Sequence, residues 1–328
     1  MLKVWLYAFA VNVRSTRKLE GRIQEDLGFR FLAGGARPDH KTLSEFLRRQ
    51  QAAIEGLFTQ VLGWMRKAGM ARLGRVAIDS TRIKANASPD RWVKADRQQV
   101  RRWRQEMERE DPDQEPGLEV SPEQAERLRQ QMESRQEEGK PGKQSQTDPD
   151  ARFLRERGGK FRLGYSREIA VSEDHFIVAV RVTQNATDNA SLLPMLAEVE
   201  RQCRAQPEKV LADSGFYSGQ NLDALQARGM DGYIPDSNLA RELNTGKAAG
   251  GKPRVRHRET RRMRQKLRRP AGRKIYQQRK AIVEPVIGTL KEQRGMRQFL
   301  RRGLAGVAGE LVLAALSYNL THYYQLQS

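Results

Sequence analysis

The sequence predicts a mixed α/β protein, in which an all-helical N-terminal module precedes a layered domain of strands and helices. Apolar residues recur at helical spacing through residues 1–70, and short β-branched runs begin only at Gly74. From there to residue 320, strands alternate with amphipathic helices, which is the pattern of an α/β layer structure. The 328 residues suffice for two folded units or for one large domain with additions.

The N-terminal module, residues 1–70, is predicted to contain three helices joined by short polar turns. The third is the best marked, because Thr42 and Glu45 have the spacing of a capping box and apolar residues then recur up to Met65. A bundle of this size suits a module that binds DNA ends, and it suits a scaffold equally well. The sequence leaves both readings open.

The layered domain, residues 71–328, is predicted from shorter signals. The run at 74–78 is typical of a buried strand that ends at Asp79, and the run at 209–212 is typical of one that ends at Asp213. Between them, two alternating segments predict an antiparallel pair of strands. The other predicted elements are the paired strands at 163–172 and 175–183, a strand at 232–235, and helices at 192–199, 219–228, 273–294 and 304–320.

Two segments of this domain are too polar for a core. Residues 94–150 are dominated by Gln, Glu, Arg, Lys and Asp, and they predict an inserted, solvated segment that is helical or flexible. Residues 236–273 predict an exposed basic arm. From Lys252 to Arg302 there are 19 Lys and Arg residues against three Glu, so this region supplies most of the formal net charge of +20. A run of this kind is a good contact for phosphates.

Composition excludes several classes of protein. One cysteine, Cys203, cannot build a disulfide framework or a cysteine-rich zinc site, and four scattered histidines do not form an imidazole metal site. The apolar opening is too short to span a bilayer, and it lacks a signal-peptide cleavage site. We therefore expect a soluble cytoplasmic protein without a membrane partner, whose charge suits nucleic acid.

Three acidic residues are the candidate catalytic residues. Asp79 and Asp213 each end a predicted buried strand, where open sheets place their ligands, and Glu284 lies in an apolar stripe of a predicted helix. Three carboxylates in one site would repel one another, and bound Mg²⁺ or Mn²⁺ would remove that repulsion. Two such ions can promote an in-line phosphodiester displacement. The acids and the basic surroundings together predict metal-dependent chemistry on nucleic acid.

Several segments resemble one known family. AIDSTRIKANAS (77–88) and LADSGFYSGQNL (211–222) are similar to the first and second aspartate motifs of insertion-sequence DDE transposases. YQQRKAIVEPVIGTLKEQRG (276–295) resembles the Tyr-Arg-Glu-Lys signature of that family. The segments PDHKTL, TDPDARF and SYNL match one of its branches. The resemblance covers nearly the whole chain, and it implies that Met1 opens within a longer N-terminal domain.

The resemblance implies a ribonuclease-H-like mixed sheet flanked by helices, in which Asp79, Asp213 and Glu284 bind two Mg²⁺ (or Mn²⁺) ions. The implied reaction is hydrolysis at the ends of the element, followed by attack of the freed 3′-hydroxyl on target DNA. Joining two ends of double-stranded DNA implies a homo-oligomer. The residues predicted to contact DNA are Lys84, Tyr276, Arg279, Lys280, Lys291 and Arg294.

Two points stay open at this stage. Arg279 is expected roughly on the side of the helix that carries Glu284, but Lys280 lies at the commoner signature spacing, so either cation fits a phosphate contact. The function has alternatives as well. A transposase-derived DNA-binding protein would keep the fold without transposing, and a basic RNA- or chromosome-associated protein would give the three acids no reason to meet.

Overall fold

The computed structural model describes residues 1–87, 92–95, 102, 142–155, 161–185, 187–246 and 257–328. The chain forms two compact units. The first contains residues 1–57, 82–165 and 294–317, and the second contains residues 58–81, 166–293 and 318–328. The domain boundary predicted at residue 70 stays a prediction.

The N-terminal module is helical, as the apolar spacing predicts, but its helices are shorter and more numerous than expected. They are α1 (Leu2–Ala10), α2 (Thr16–Glu25), α3 (Leu27–Ala33), α4 (His40–Arg49) and α5 (Gln51–Lys67). The predicted third helix is therefore two helices, α4 and α5. The predicted capping box is wrong, because Asp39 Oδ1 accepts the hydrogen bond from the Thr42 amide at 2.7 Å, while Glu45 pairs with Arg48 at 2.5 Å.

The predicted insertion at 94–150 begins and ends in strands. β2 (Trp92–Ala95) pairs antiparallel with β3 (Gly142–Ser145), and β4 (Arg152–Arg155) pairs with the first residues of β5 (Phe161–Ser172). Ser145 and Asp148 are already buried, so packing resumes earlier than the polar composition suggests. Residues 103–141 carry most of this prediction, and they lie outside the described residues.

Buried polar contacts tie distant stretches of the first unit together. Arg14 Nη1 lies 2.7 Å from Glu310 Oε1, and both side chains are almost fully buried. Glu310 Oε2 also accepts from the amides of Leu300 and Arg301, at 2.9 and 3.0 Å. This one carboxylate therefore links Arg14, in the first stretch of the unit, to Leu300 and Arg301, in its last stretch.

The second unit is built on a mixed sheet with the strand order β6-β5-β1-β7-β8. β1 (Arg75–Lys84), β7 (Lys209–Ala212) and β8 (Asp231–Tyr233) are parallel neighbours, and β5 pairs antiparallel with β6 (Ile177–Thr183). The predicted strands and the antiparallel pair are confirmed in position. One boundary is wrong: β1 does not end at Asp79 but runs on to Lys84.

Helices pack on this sheet, and they correct the prediction of an exposed basic arm. They are α6 (Leu192–Cys203), α7 (Gly219–Ala227), α8 (Ser237–Thr245), α9 (Arg258–Arg268) and α10 (Pro270–Gly288). The segment 236–273 thus contains α8, α9 and the start of α10, and α9 buries Thr260 and Leu267. These two buried residues and the ion pairs of α9 with Asp231, Asp236 and Glu242 seat this very basic helix. Residues 247–256 lie outside the described part.

The last helix, α11 (Leu304–Gln327), is apolar along most of its length. By length and composition alone it could cross a membrane, but 67% of its most apolar window is buried inside the protein. Such burial is what a core helix requires. The predicted absence of a membrane partner stays a prediction.

Candidate active site

Asp79 and Asp213 lie at the same level of two neighbouring parallel strands. The last Cα partners of the β1–β7 ladder are Ile78 and Ala212, and each aspartate directly follows its residue of that pair. Residues in register on adjacent strands point to the same face of a sheet. The fully buried apolar residues before them anchor both strands in the core. The structure therefore brings the two carboxylates together.

Burial has the largest effect on the ionisation of the Asp79 carboxylate. Burial raises its pKa to about 6; the Arg279 guanidinium opposes this change, and the charges of Asp213 and Asp188 add to it. Arg279 Nη1 lies 3.7 Å from Asp79 Oδ2, and the Ser80 amide donates to Asp79 Oδ1 at 2.9 Å. A carboxylate that is costly to ionise here would gain from a bound cation.

Asp188 is a third carboxylate of this region, and the sequence analysis missed it. A Cβ on Gly215 would lie 3.0 Å from Asp213 Oδ1 and 3.1 Å from Asp188 Oδ2, so both carboxylates lie close to this glycine. The Gly215 amide also donates to Asp213 Oδ1 at 2.8 Å. Asp188 follows β6 by a short loop. The sequence signal for Asp188 is that an aspartate follows the predicted strand at 175–183. The signal is weak because several residues separate Asp188 from the end of that strand.

The two cations left open by the sequence lie on different faces of α10. Arg279 is 8% exposed and is paired with Asp79, whereas Lys280 is exposed. Tyr276 hydrogen-bonds to Arg279, and burial raises the pKa of its hydroxyl. Arg279 is thus an internal partner of Asp79, while Lys280 is open to solvent.

Arg167 is a second buried cation near Asp79. It is 1% exposed, and none of its three guanidinium nitrogens has a hydrogen-bond partner in the part of the chain that the structure describes. Burial lowers its pKa to about 10, and the charge of Asp79 opposes that change. Arg167 lies on β5, the strand beside β1. Asp79 is therefore balanced by one arginine from a strand and one from a helix.

Glu284 is placed differently from the two aspartates. Val283 and Val286 belong to the buried face of α10, whereas Glu284 is exposed. The expectation of a charge inside the apolar stripe is wrong, because the 3.6-residue period turns residue 284 away from its buried neighbours. For the same reason, Glu284 does not share a face with the buried Arg279.

The two aspartates offer suitable donor atoms for a metal ion. Carboxylate oxygens that repel each other are the donors a hard divalent cation prefers, and Asp79 with Asp213 meets that description. Within the described residues, however, no three His, Cys, Asp or Glu side chains form a group that could hold a metal ion. The pair fits a cation, and Glu284 is not gathered with it.

The remaining predicted DNA contacts divide by exposure. In the first unit, Lys84 is exposed at the end of β1, but Arg294 is 7% exposed and donates to the Phe9 carbonyl at 3.2 Å. Because the Arg294 side chain is buried and bonded to the Phe9 carbonyl, it is poorly placed to contact DNA. In the second unit, Lys291 is half-buried in a π turn, Thr289–Gln293, that follows α10.

A cavity of about 220 Å³ lies between α8 and α10 in the second unit. Leu243 and Asn244 line it from α8, and Arg273, Arg279 and Lys280 line it from α10. Arg279 is already paired with Asp79, so Arg273 and Lys280 are the two cations of the lining that favour an anionic occupant, and a phosphate suits such groups.

Comparison with known protein families gives two matches. Residues 70–320 match a family model described as a transposase DDE domain. Residues 1–49 match a second model, described as a transposase domain (DUF772). No curated protein matches the chain.

Proposed function

Since this chain belongs to the transposase DDE domain family, we propose that it cleaves the ends of an insertion sequence and transfers the freed strand to target DNA. The observation that carries this proposal is the register of β1 and β7, which sets Asp79 beside Asp213 in a site where burial makes the Asp79 carboxylate costly to ionise. Two carboxylates placed in this way can hold the divalent cations that promote phosphodiester displacement.

In this proposal, Asp79 and Asp213 hold Mg²⁺ or Mn²⁺. Glu284 would complete a two-ion centre as its third ligand only after moving toward the pair, because it is not gathered with the aspartates in this structure. When bound, the ions activate the attacking water or 3′-hydroxyl and stabilise the leaving oxygen. Arg279 and Arg167 keep the Asp79 carboxylate in place from two sides. Their positive charges also limit the repulsion among the acids before any cation arrives.

Lys280 and the cavity that it lines are proposed to receive a DNA phosphate. Lys280 is exposed and lies one helical turn before Glu284 on the same side of α10. Its ammonium group would hold a phosphate near the catalytic acids as a charge-assisted partner. Arg279 is not assigned this contact, because it is buried and paired with Asp79.

We further propose that the mixed sheet and its helices form a ribonuclease-H-like catalytic domain, and that the protein acts as a homo-oligomer on double-stranded DNA in the cytoplasm. The mixed strand order, with the two aspartates on adjacent central strands, supports the fold assignment. The two ends of an element each need an active site, which supports the oligomer.

Two observations favour a second candidate function. Glu284 is not gathered with the aspartates, and an arginine is paired with Asp79. A transposase-derived protein that binds DNA without transposing would tolerate both features. The two functions differ in whether the acids are needed for cleavage.

The test is cleavage of duplex DNA taken from both sides of the coding region, with Mg²⁺ or Mn²⁺ added. We expect Asp79→Asn, Asp213→Asn and Glu284→Gln each to abolish cleavage and to leave DNA binding nearly unchanged. Asp223→Asn, an exposed acid of α7, is the matched control and should cut normally. Binding without cleavage by the unmodified protein would favour the second function. Wild-type cleavage by Glu284→Gln would remove that residue from the centre.

A further inference from the structure

The basic segment around α9 and α10 contains two kinds of cation. Four cations of α9 pair with acids of the second unit: Arg262 with Glu259 at 2.9 Å, Arg264 with Asp236 at 2.7 Å, Arg268 with Glu242 at 2.8 Å, and Lys266 with Asp231. Arg264, Lys266 and Arg268 thereby hold α9 on its neighbours, whereas the Arg262–Glu259 pair lies within α9. Their charge is already neutralised, so they are poor contacts for a polyanion.

Three cations at the α9–α10 junction have no acidic partner in the described part of the chain. They are Arg269, Arg273 and Lys274, which we call the junction cluster, and all three are exposed. Arg273 makes one long bond, 3.4 Å, to the Leu243 carbonyl. Arg269 and Lys274 have no side-chain partner among the described residues. The cluster is therefore a positive surface that lies next to the four paired cations of α9.

The backbone holds these cations close together at a cost. A Cβ on Gly272 would lie 2.0 Å from the Lys266 carbonyl oxygen, so glycine allows the first turn of α10 to approach the last turn of α9. Arg269 and Arg273 are four residues apart, where like charges repel. The first turn of α10 contains no acidic residue, and the helix dipole disfavours cations there. Helix stability alone does not account for this arrangement, but a polyanionic partner does.

We propose that the junction cluster is a docking surface for the phosphate backbone of duplex DNA. The proposal rests on the function proposed above and identifies where the DNA lies. Arg273, Gln277, Lys280 and Glu284 recur at helical spacing along the exposed side of α10. The distance from Arg273 to Glu284 along the axis is about 16 Å. A backbone held at the junction cluster would therefore continue along α10 past Lys280 to Glu284.

The experiment measures the salt dependence of binding to a short duplex DNA of arbitrary sequence. The test variant is Arg269→Gln/Lys274→Gln. The matched control is Lys67→Gln/Arg204→Gln, which removes the same charge from two other exposed cations of the second unit that have no side-chain partner among the described residues. Each lost phosphate contact lowers the slope of log K against log salt by about 0.9. We expect the test variant to lose roughly 1.8 from that slope, and the control to keep the unmodified slope.

The outcomes separate this proposal from the proposed function. Equal losses in both double variants would show that only net charge matters, and would overturn the docking surface. A loss seen with duplex RNA but not with duplex DNA would overturn it as well. If the slope changes as expected but the unmodified protein never cuts DNA, the surface stands and the transposase chemistry fails. Thermal unfolding of both variants checks that each is folded as the unmodified protein is.

Discussion

Replacing Asp79 by asparagine is expected to stabilise the metal-free protein at neutral pH, although it should destroy activity. The folded protein raises the pKa of this carboxyl from 3.8 to about 6, and each unit is worth about 1.4 kcal/mol. Ionised Asp79 therefore costs the folded state about 3 kcal/mol. Its side chain is only 20% exposed, so solvent screens little of this cost. The amide of asparagine carries no charge and avoids the penalty.

The sign of the pH dependence follows from the raised pKa. Between about pH 4 and pH 6 the folded state binds more protons at Asp79 than the unfolded state does, so the free energy of unfolding falls as the pH rises. Below that window Asp79 is protonated in both states and the penalty is absent. Above it, the full penalty of about 3 kcal/mol applies.

The assay is urea unfolding of the unmodified protein and of Asp79→Asn, with a chelator present, at intervals from pH 4 to pH 8. The two free energies of unfolding should agree near pH 4, and the variant should be more stable by about 3 kcal/mol at pH 8. Without the chelator, added Mn²⁺ should stabilise the unmodified protein more than the variant. A variant less stable than the unmodified protein at pH 8 would refute the reasoning, because it would show that the two arginines outweigh burial and repulsion.

Two further predictions concern neighbouring charges. Asp188→Asn removes one of the charges that raise the pKa of Asp79. The gain in stability from Asp79→Asn should therefore be smaller in a protein that carries Asp188→Asn than in the unmodified protein. An equal gain in the two proteins at pH 8 would place Asp188 outside the site. Glu310→Gln leaves Arg14 without its buried partner and should cost the free energy of unfolding roughly 3–5 kcal/mol. Urea unfolding measures this cost, and a loss below 1 kcal/mol would contradict it.

The aspartate pair was predictable from the sequence because two short apolar runs each lead directly into an aspartate. Burial of such a run is nearly forced, and its end then lies at a defined level of the sheet. Where β1 ends was not predictable in the same way. Ser80, Thr81 and Arg82 are only half-buried, and nothing in their composition shows that backbone pairing continues beyond Asp79.

Glu284 shows that a residue next to buried apolar residues in the sequence need not lie on the buried face of the helix. Its apolar neighbours in sequence suggested burial, yet the helical period sets it opposite to them. The same period sets Arg279 on a different face from Lys280. One error in assigning helix faces therefore misplaced both Glu284 and Arg279. Asp188 was missed for a different reason: it lies in a loop, and the position of a loop side chain depends on packing against other elements, here on the space left by Gly215.

The basic segment shows how far a count of charges can mislead. Counted from the sequence, the region 252–302 suggested an exposed arm in which every cation could meet a phosphate. In the structure, four cations of α9 are neutralised by Asp231, Asp236, Glu242 and Glu259. Asp231, Asp236 and Glu242 lie outside α9 and precede the region 252–302 in the sequence. Glu259 lies within α9, one turn before Arg262. A salt slope calculated from the sequence would therefore overestimate the number of phosphate contacts. Only cations that the fold leaves unpaired, such as the junction cluster, can release counterions from DNA.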